Sequence, residues 1–379
     1  MPSLGISRVT DITRMDRLGL PVFTSIRPRG QALCVNAGKG MTPLEARVGA
    51  LMEALEFAAA EPGRSQWSSR TWRLADLSAE WERDLHLLQL AARMDQVPEP
   101  DRIVETVLCE DIAGGRPMWL PAELIFMPFG DDEARLLFGW SSNGLASGNS
   151  VNEATLHAML EVLERDALAM NMLRDESLWL PQHELPQPFQ AMAACWQRLG
   201  IDLAVRLIRN EFGLPCFRAL LHEGGDAVVS LAMGAGMHLD PRIALARAIC
   251  EAAQSRLSHI HGGRDDVTHF YDTHGDDKPQ ATPSHETLAY REAFDTARQI
   301  SWAEVPSLPC HDRPLGEVLA GLIDRLRALG FRKVLRHRFS LDLAGLHVVK
   351  VVVPGCELID RELDRMGPRL YERCRAIHA

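Results

Sequence analysis

Several features that define whole protein classes are missing from this sequence. The eight cysteines are scattered and no CxxC pair occurs, so we expect no structural zinc site and mostly small, buried, reduced cysteines. No Lys/Arg run is present and the net charge is −10, which argues against nucleic acid as a partner. The N-terminus has no signal peptide, and no apolar run reaches the ~18 residues of a membrane span. These absences predict a cytoplasmic protein that does not insert into membranes.

What is present is typical of a large globular chain. Of the 379 residues, 46% are hydrophobic and 24% charged, which allows two domains or one large α/β unit. Strand-like runs are predicted at 203–208, 216–221, 227–231 and 347–353, with an amphipathic helix at 315–330. The polar stretch at 262–285 is predicted to be a solvated loop. The fold class predicted is therefore α/β (α+β), with helices packed on β-sheet.

A first helix is predicted over residues 43–60. Thr42 and Glu45 form a capping box, and Pro43 suits the first helical position. Helical periodicity places Glu53 and Glu56 opposite an apolar face and among small neighbours. The apolar face expected to pack inward consists of Leu44, Val48, Leu51 and Leu55.

Two more helices carry acidic residues at a spacing of three. In the second, Ser150 and Glu153 form a capping box, and the helix runs from Val151 past Ala167. Its apolar stripe is Leu156, Met159, Leu160 and Leu163, and its polar face is Glu153, His157, Glu161 and Glu164, with Arg165 beside it. The third helix has Asp240 as N-cap, Pro241 at the first position and Gly262 past its end; its polar side is Arg247, Glu251, Gln254 and Ser258.

Carboxylates three residues apart repel each other, and burial without compensation costs several kcal/mol each. Mg²⁺ removes that cost, because it takes carboxylate oxygens and shares its remaining positions with phosphate oxygens. Two glycine-containing loops, predicted at 38–40 and 142–150, precede the first two helices, where backbone N–H groups could approach phosphates. From the residues alone, a Mg–phosphate site and an ordinary solvated face remain alternatives.

Several segments resemble the YcaO family. They are GISRVTDIT at 5–13, NAGKG at 36–40 leading into MEALE at 52–56, SNGLASGNSVNEATLHAMLEVLERDA at 142–167, and ARAICEAAQSR at 246–256 followed by GRDD at 263–266. They occur in order over most of the first 270 residues. The resemblance implies a YcaO-type fold whose helices carry ExxE, ExxER and ExxQ motifs, with an ATP-binding core at 1–270 that residues 271–379 complete.

The resemblance also implies roles for individual residues. Mg²⁺ would be held by Glu53, Glu56, Glu161, Glu164 and Glu251, and ATP contacted by Lys39, Asn149, Glu153, Arg165, Gln254, Arg8 and Arg264. Glu164 and Arg165 would act directly in catalysis. Phe57 departs from relatives that carry Arg at that position, so an Arg contact there is not expected.

The implied activity is ATP-dependent activation of a peptide backbone amide, which leads to an azoline, an amidine or a thioamide. The chain lacks the PxPxP tail of azoline-forming members, and its VVVPG at 351–355 and GPR at 367–369 resemble members that work with a TfuA-type partner on thioamides. No leader-binding segment precedes Gly5, so we expect a separately encoded TfuA-like, E1-like or leader-binding partner, and a homodimer. Two alternatives stay open, a catalytically silent scaffold that docks a partner and a nucleotide-independent dimetal enzyme.

Overall fold

The computed structural model of the chain divides into two compact units. Unit 1 comprises Met1–Ala54 and Glu176–Pro309, and unit 2 comprises Leu55–Asp175 and Cys310–Ala379. The structure describes residues 4–63, 67–81, 84–130, 132–224, 227, 229–263, 298–340, 343, 345–359 and 365–378. The loop predicted at 262–285 therefore lies outside the described residues from 264 onward, and so does Arg264. Within the described ranges, no helix is both long and apolar enough to cross a membrane.

Unit 1 contains two antiparallel sheets. The first has the order β1–β2–β3, formed by Arg8–Asp11, Val22–Ile26 and Val35–Lys39. The second has the order β11–β10–β9–β8, formed by Leu231–Met237, Cys216–Glu223, Ile201–Leu207 and Leu178–Leu180. Helices α4 (Phe189–Arg198) and α5 (Pro241–His261) pack on the second sheet. Three of the four predicted strands match within a few residues, but the one expected at 227–231 begins only at Leu231.

Unit 2 is built on one larger sheet. Its order is β4–β5–β12–β13–β7, formed by Ser69–Arg73, Ile103–Asp111, Leu335–Phe339, His347–Val352 and Leu145–Gly148; β6 (Met118–Pro121) pairs with β5. Helix α3 (Val151–Leu173) packs on β13 and β7 and contacts α6 (Leu315–Ala328) and α7 (Pro368–His378). Helix α2 (Leu74–Trp81) follows β4 directly. The helix expected at 315–330 is thus confirmed.

Helix α1 (Pro43–Ala60) has the predicted bounds but buries another face than predicted. Its capping box is formed, since Thr42 Oγ1 accepts from the Glu45 N–H at 3.3 Å and Glu45 Oε2 accepts from the Thr42 N–H at 3.1 Å. The predicted packing face is wrong at its start, because Leu44 is 71% and Val48 46% exposed. The buried face is instead made of small residues, Ala46, Ala50, Ala54 and Ala58.

Glycines explain why the small face of α1 turns inward. A Cβ on Gly38, in β3, would overlap the backbone of Ala46 and Ala50, so strand and helix are in backbone contact there. The segment at 38–40 is therefore the end of strand β3, packed on helix α1, and not the loop that was predicted. The same device recurs between β11 and α5, where a Cβ on Gly234 or Gly236 would overlap the α5 backbone.

The other two acidic helices form as predicted. In α3, Ser150 Oγ accepts from the Glu153 N–H at 3.2 Å, and the apolar stripe from Leu156 to Leu163 is buried. In α5, Asp240 Oδ1 accepts from the Arg242 N–H at 2.6 Å. Gly262 ends this helix with φ +61°, a left-handed conformation that favours glycine.

The cysteines differ from expectation. Of the eight, only Cys109, Cys216 and Cys250 are buried and Cys195 is exposed. Burial raises the pKa of Cys250 to about 11, so this thiol stays protonated and unreactive at neutral pH.

Candidate functional site

In unit 1, four of the predicted site residues surround the end of strand β3. Lys39 Nζ lies 2.6 Å from Glu251 Oε2, an ion pair that joins β3 to helix α5. Both side chains are 27% exposed, so the pair is partly shielded yet open to a ligand. Lys39 and Glu251 come from two separate sequence motifs, and the structure places their side chains in direct contact.

The remaining two residues of this group bind the backbone of Ala37. The Ala37 N–H donates to Glu53 Oε2 at 2.5 Å, and Gln254 Nε2 donates to the Ala37 carbonyl at 3.5 Å. A single residue of β3 therefore holds one side chain from α1 and one from α5. We call Lys39, Glu53, Glu251 and Gln254 the β3 cluster.

A buried ion-pair network fixes helix α5 just beyond the β3 cluster. Arg256 donates to Asp16 Oδ2 at 3.0 Å, to Glu223 Oε2 at 2.5 Å and to the Val229 carbonyl at 2.7 Å. The Arg256 and Asp16 side chains are 6% and 2% exposed. Breaking such a pair leaves a buried charge, so Arg256 secures the orientation of the helix that carries Glu251 and Gln254. A lone Arg in the sequence gave no signal for this role.

In unit 2, Glu56 binds the strand that precedes α3. Glu56 Oε1 accepts from the Ser147 N–H at 2.8 Å and from Ser147 Oγ at 2.5 Å. Ser147 is buried in β7, and Gly148 next to it packs against the start of α3, where a Cβ would overlap Glu153 and Ala154. The segment at 142–150 thus contains a strand, and its glycine again permits close strand–helix contact.

Asn149 and Glu153 face each other at the start of α3. Glu153 Oε2 accepts from the Asn149 N–H at 3.1 Å, and Asn149 Nδ2 lies 3.3 Å from both Glu153 oxygens. Asn149 is exposed, whereas Glu153 is half-buried. These contacts are those of a helix cap, and they place an amide and a carboxylate at a helix N-terminus, which is a favourable position for phosphate.

Farther along α3, Glu164 is buried at 3% exposure, while Glu161 and Arg165 are half-buried. Lys350, on β13, is buried and donates to the Ser141 carbonyl. Burial lowers the pKa of Lys350 to about 7; the nearby Glu161 carboxylate opposes this shift and Arg365 adds to it. Sequence reasoning missed Lys350, although one charge within the apolar run HVVKVV was a usable signal.

A second buried network holds α3 one residue past Arg165. Asp166 accepts from the guanidinium of Arg369 and, at 2.7 Å, from the Glu357 N–H. Glu357 in turn accepts from the N–H groups of Gly367, Arg369 and Leu370 at the start of α7. Burial raises the pKa of Asp166 and of Glu357, although Arg369 opposes the shift in both. The GPR segment singled out in the sequence is therefore tied to the helix that carries Glu161 and Glu164.

Two further residues were predicted to contact ATP, Arg8 and Arg264. Arg8 is exposed on the edge strand β1, and its side chain has no hydrogen-bond or ion-pair partner among the described residues. Arg264 lies outside the described residues.

The candidate ligands are suited to a Mg²⁺ ion that is coordinated partly by carboxylates and partly by phosphate oxygens. Among the described residues, no group of three or more His, Cys, Asp and Glu is arranged to hold a metal ion alone. Mg²⁺ needs only one or two carboxylates when phosphate oxygens and water complete its octahedron, and every candidate ligand here is a carboxylate. Convergence of all five carboxylates on one site stays a prediction.

Comparison with known proteins identifies the family. The model of the family described as YcaO cyclodehydratase, ATP- and Mg²⁺-binding, matches residues 37–357 of this chain. The chain therefore belongs to the YcaO family, and the resemblance seen in its motifs is confirmed. With the family come its cofactors, ATP and Mg²⁺.

Two relatives match nearly end to end. An uncharacterized protein of Methanothermobacter thermautotrophicus is 31% identical, over 97% of this chain and 94% of its own length. An uncharacterized protein in the tfuA 3′ region of Rhizobium leguminosarum bv. trifolii is 30% identical, over 98% of this chain and 88% of its own.

Solved structures confirm the mixed α/β fold. YcaO from Methanopyrus kandleri, bound with AMPPCP and Mg²⁺, has a TM-score of 0.73 at 24% identity and covers 97% of this chain and 91% of its own. A heterocyclase in complex with substrate and cofactor has a TM-score of 0.76 at 20% identity. It covers 98% of this chain, which spans about half (52%) of the heterocyclase. The Escherichia coli microcin synthetase McbBCD complex matches with a TM-score of 0.64 at 13% identity.

Proposed function

We propose that this chain uses Mg·ATP to phosphorylate the oxygen of a peptide backbone amide during peptide or protein modification. The observation that carries the proposal is the β3 cluster, where Lys39 pairs with Glu251 while Glu53 and Gln254 bind Ala37, in a chain of an ATP- and Mg²⁺-binding family. A silent scaffold has no need to keep partly buried carboxylates in this arrangement.

The proposed metal ligands are Glu53, Glu56, Glu161, Glu164 and Glu251, and the proposed ATP contacts are Lys39, Asn149, Glu153, Arg165 and Gln254, with Arg8 and Arg264 as further candidates. When bound, Mg·ATP supplies a phosphoryl group that turns the poor amide oxygen into a phosphate leaving group. Lys39 and Arg165 would neutralise phosphate charge, and the Asn149 amide can donate to a phosphate oxygen. Ser147 and Ala37 orient Glu56 and Glu53 through the hydrogen bonds described above. Assignment of the ATP-binding core to residues 1–270, completed by 271–379, is part of this proposal.

The proposed reaction starts when a nucleophile adds to the amide carbon. The carbonyl oxygen then takes the γ-phosphoryl group of ATP, which leaves ADP. That oxygen finally leaves the amide carbon as phosphate. A neighbouring Cys, Ser or Thr side chain as nucleophile gives an azoline with net loss of water, whereas a sulfide donor gives a thioamide.

We favour the thioamide branch with a separately encoded TfuA-like partner. The support is a relative in the tfuA 3′ region and the GPR segment at 367–369, which here anchors α7 to α3. Azoline formation is the second candidate, favoured by the fold shared with a heterocyclase. An E1-like or leader-binding partner and a homodimer belong to the same proposal.

The decisive experiment places ¹⁸O in the target amide of a precursor peptide and follows it by mass spectrometry, with Mg·ATP and the products of neighbouring genes present. We expect ¹⁸O in the released phosphate, together with ADP. Phosphate without ¹⁸O, or release of AMP and pyrophosphate, would reject direct phosphorylation of the amide oxygen.

Two variants test the metal role within the same assay. Glu161→Gln and Glu164→Gln should abolish turnover while the protein stays folded, because each removes a carboxylate charge with little change in shape. Glu80→Gln is the matched control, since Glu80 lies in an exposed ion pair with Arg116. Loss of turnover in the control as well would point to a general charge effect.

A further inference from the structure

Two neighbouring cavities in unit 2 lie along the same pair of chain segments. One is an apolar groove of about 480 Å³, lined mainly by Leu88, Met94, Met366, Pro368 and Tyr371. The other is a small polar pocket of about 60 Å³, whose lining includes Gln89, Asn143, Lys350 and Arg365. Leu88 and Met366 line the groove, and their chain neighbours Gln89 and Arg365 line the pocket, so the two cavities lie side by side along the same two segments.

The Arg365 side chain and one backbone bridge connect the two segments. Arg365 donates to the carbonyls of Leu90 and Ala91, both at 2.7 Å, and it forms an antiparallel bridge with Arg93. These contacts connect the two segments that line both cavities. Its volume lies within the roughly 300–1,000 Å³ typical of ligand sites.

Large apolar side chains in the groove are exposed to solvent, and this exposure does not stabilise the folded monomer. Leu88 is 56%, Met94 61% and Tyr371 56% exposed. Methionine is flexible and polarizable, so a groove with two methionines accommodates apolar side chains of different shapes.

The pocket offers hydrogen-bonding groups of both kinds. Asn143 Oδ1 is buried and has no hydrogen-bond partner among the described residues, so it is an acceptor that awaits a donor. Lys350 Nζ carries more N–H groups than the one given to the Ser141 carbonyl, and it does so whether protonated or neutral. A peptide amide has one N–H to give and one carbonyl oxygen to accept, which matches this pair.

We propose that groove and pocket together form the substrate cleft, in which the groove takes an apolar side chain of the peptide and the Asn143–Lys350 pair receives an adjacent backbone amide. The proposal rests on the proposed function, since Lys350 lies beside Glu161, one of the proposed metal ligands. The substrate class is then a peptide with a large apolar residue next to the amide that enters the pocket.

The test measures peptide binding rather than turnover. The full-length chain, with ¹³C-methyl-labelled methionine, is titrated with the peptides Ac-Gly-Leu-Gly-NH₂ and Ac-Gly-Ser-Gly-NH₂. The Met94 and Met366 methyl signals are assigned from Met94→Leu and Met366→Leu. We expect saturable shifts of both signals, with the leucine peptide at least about tenfold tighter, since burying a leucine side chain contributes ~1.5–3 kcal/mol.

Matched variants separate the groove from general surface effects. Leu88→Glu should weaken the leucine peptide at least about tenfold, because it places a charge in the apolar groove. Val97→Glu is the control, as Val97 is 70% exposed on the same segment but does not line the groove, and it should leave the affinity unchanged. Equal affinity for both peptides, or no effect of Leu88→Glu, would overturn the proposal.

The amide contact has its own test. Methylating the amide nitrogen on one side of the leucine should weaken binding about fivefold in the wild type, the loss expected for one hydrogen bond, but not in Asn143→Leu. If N-methylation on neither side weakens wild-type binding, the Asn143 contact is wrong. Methyl shifts that follow protein concentration rather than peptide would assign the groove to a second copy of the chain and overturn the proposal.

Failure of the proposed substrate cleft can be distinguished from failure of the proposed function. Binding of Mg·AMPPCP to the wild-type chain is measured in parallel by calorimetry. Nucleotide binding without peptide shifts rejects only the cleft, whereas absence of nucleotide binding rejects the proposed function itself.

Discussion

The ammonium group of Lys39 lies 2.6 Å from the carboxylate of Glu251, although 212 positions separate the two residues in the chain. Partly exposed ion pairs contribute at most about 1 kcal/mol to stability, so a purely structural role would make this pair dispensable. We predict that Lys39→Met lowers the affinity for Mg·AMPPCP at least about tenfold and changes the free energy of unfolding by about 1 kcal/mol or less. Calorimetry and urea titration give the two numbers. Arg116→Met, in a surface pair with Glu80, is the control that should leave nucleotide affinity unchanged.

Glu56 and Ser147 allow a charge effect to be separated from an orienting effect. In Ser147→Ala the carboxylate loses the hydroxyl but keeps the Ser147 backbone N–H, so we predict Mg²⁺ affinity within about threefold of wild type. Glu56→Gln removes the charge, and we predict a loss of about tenfold or more. Titration of Mg²⁺ at fixed AMPPCP measures both. Similar losses in the two variants would mean that the Ser147 hydroxyl, not the charge, determines affinity.

Removing Arg369 should destabilise the protein strongly. The Asp166 side chain is 2% exposed, so Arg369→Leu leaves a buried carboxylate without its cation and should cost about 3–5 kcal/mol. The double variant Asp166→Asn/Arg369→Leu should recover most of that loss, because the charge is gone and the Asn oxygen still accepts from the Glu357 N–H. Urea unfolding at neutral pH checks this, and a double variant no more stable than the single one would contradict it.

Adding one methyl group at Gly38 should be among the most damaging small changes in the chain. Its Cβ would overlap the α1 backbone, which cannot shift without moving Glu53, so we predict that Gly38→Ala costs about 3 kcal/mol or more. Gly321→Ala is the counterpart, because Gly321 lies inside α6 with nothing within 4 Å of the added Cβ. That change should stabilise by about 0.5–1 kcal/mol. Thermal unfolding of the two variants should move in opposite directions.

Lys350 predicts a particular pH dependence of stability. Its pKa falls to about 7 in the folded chain, from an ordinary value near 10.4. Between these values the unfolded chain binds a proton that the folded chain has released, so stability rises with pH, by at most about 1.4 kcal/mol per unit. We therefore predict that the unfolding free energy of wild type relative to Lys350→Met increases from pH 7 to pH 9. A difference that stays flat or falls over this range would show that the amine remains protonated in the folded chain.

The sequence was most informative where local rules act alone. The bounds of α1 followed from Thr42, Pro43 and Glu45, and those of α5 from Asp240 and Gly262, because caps depend on a few adjacent residues. The prediction that Leu44 and Val48 pack inward was wrong, because periodicity reveals an apolar stripe but not which neighbouring element will cover it. Here Gly38 selected the alanine face instead, through a contact between elements that no helix pattern can reveal.

For the candidate site, the sequence proposed residues but not the contacts that they make with one another. The motifs named Lys39, Glu53, Glu251 and Gln254. In the structure Glu53 and Gln254 bind the backbone of Ala37, a residue with no side-chain chemistry of its own, and Lys39 pairs with Glu251. Lys350 was missed, and the GPR segment was noticed without the ion pair that Arg369 forms. Burial of Lys350 and the contact of Arg369 with Asp166 on α3 are properties of the folded chain rather than of any short pattern.

The glycines of β3 and β11 also limit how this scaffold can diversify. At Gly38, Gly234 and Gly236 the strand and helix backbones are in contact. Any larger residue at these positions would overlap the helix backbone. A larger residue at any of the three would therefore change the separation between a strand and its acid-bearing helix. Engineering for new peptides should accordingly randomise the exposed positions Leu88, Met94 and Val97 and leave the glycine-bearing strands untouched.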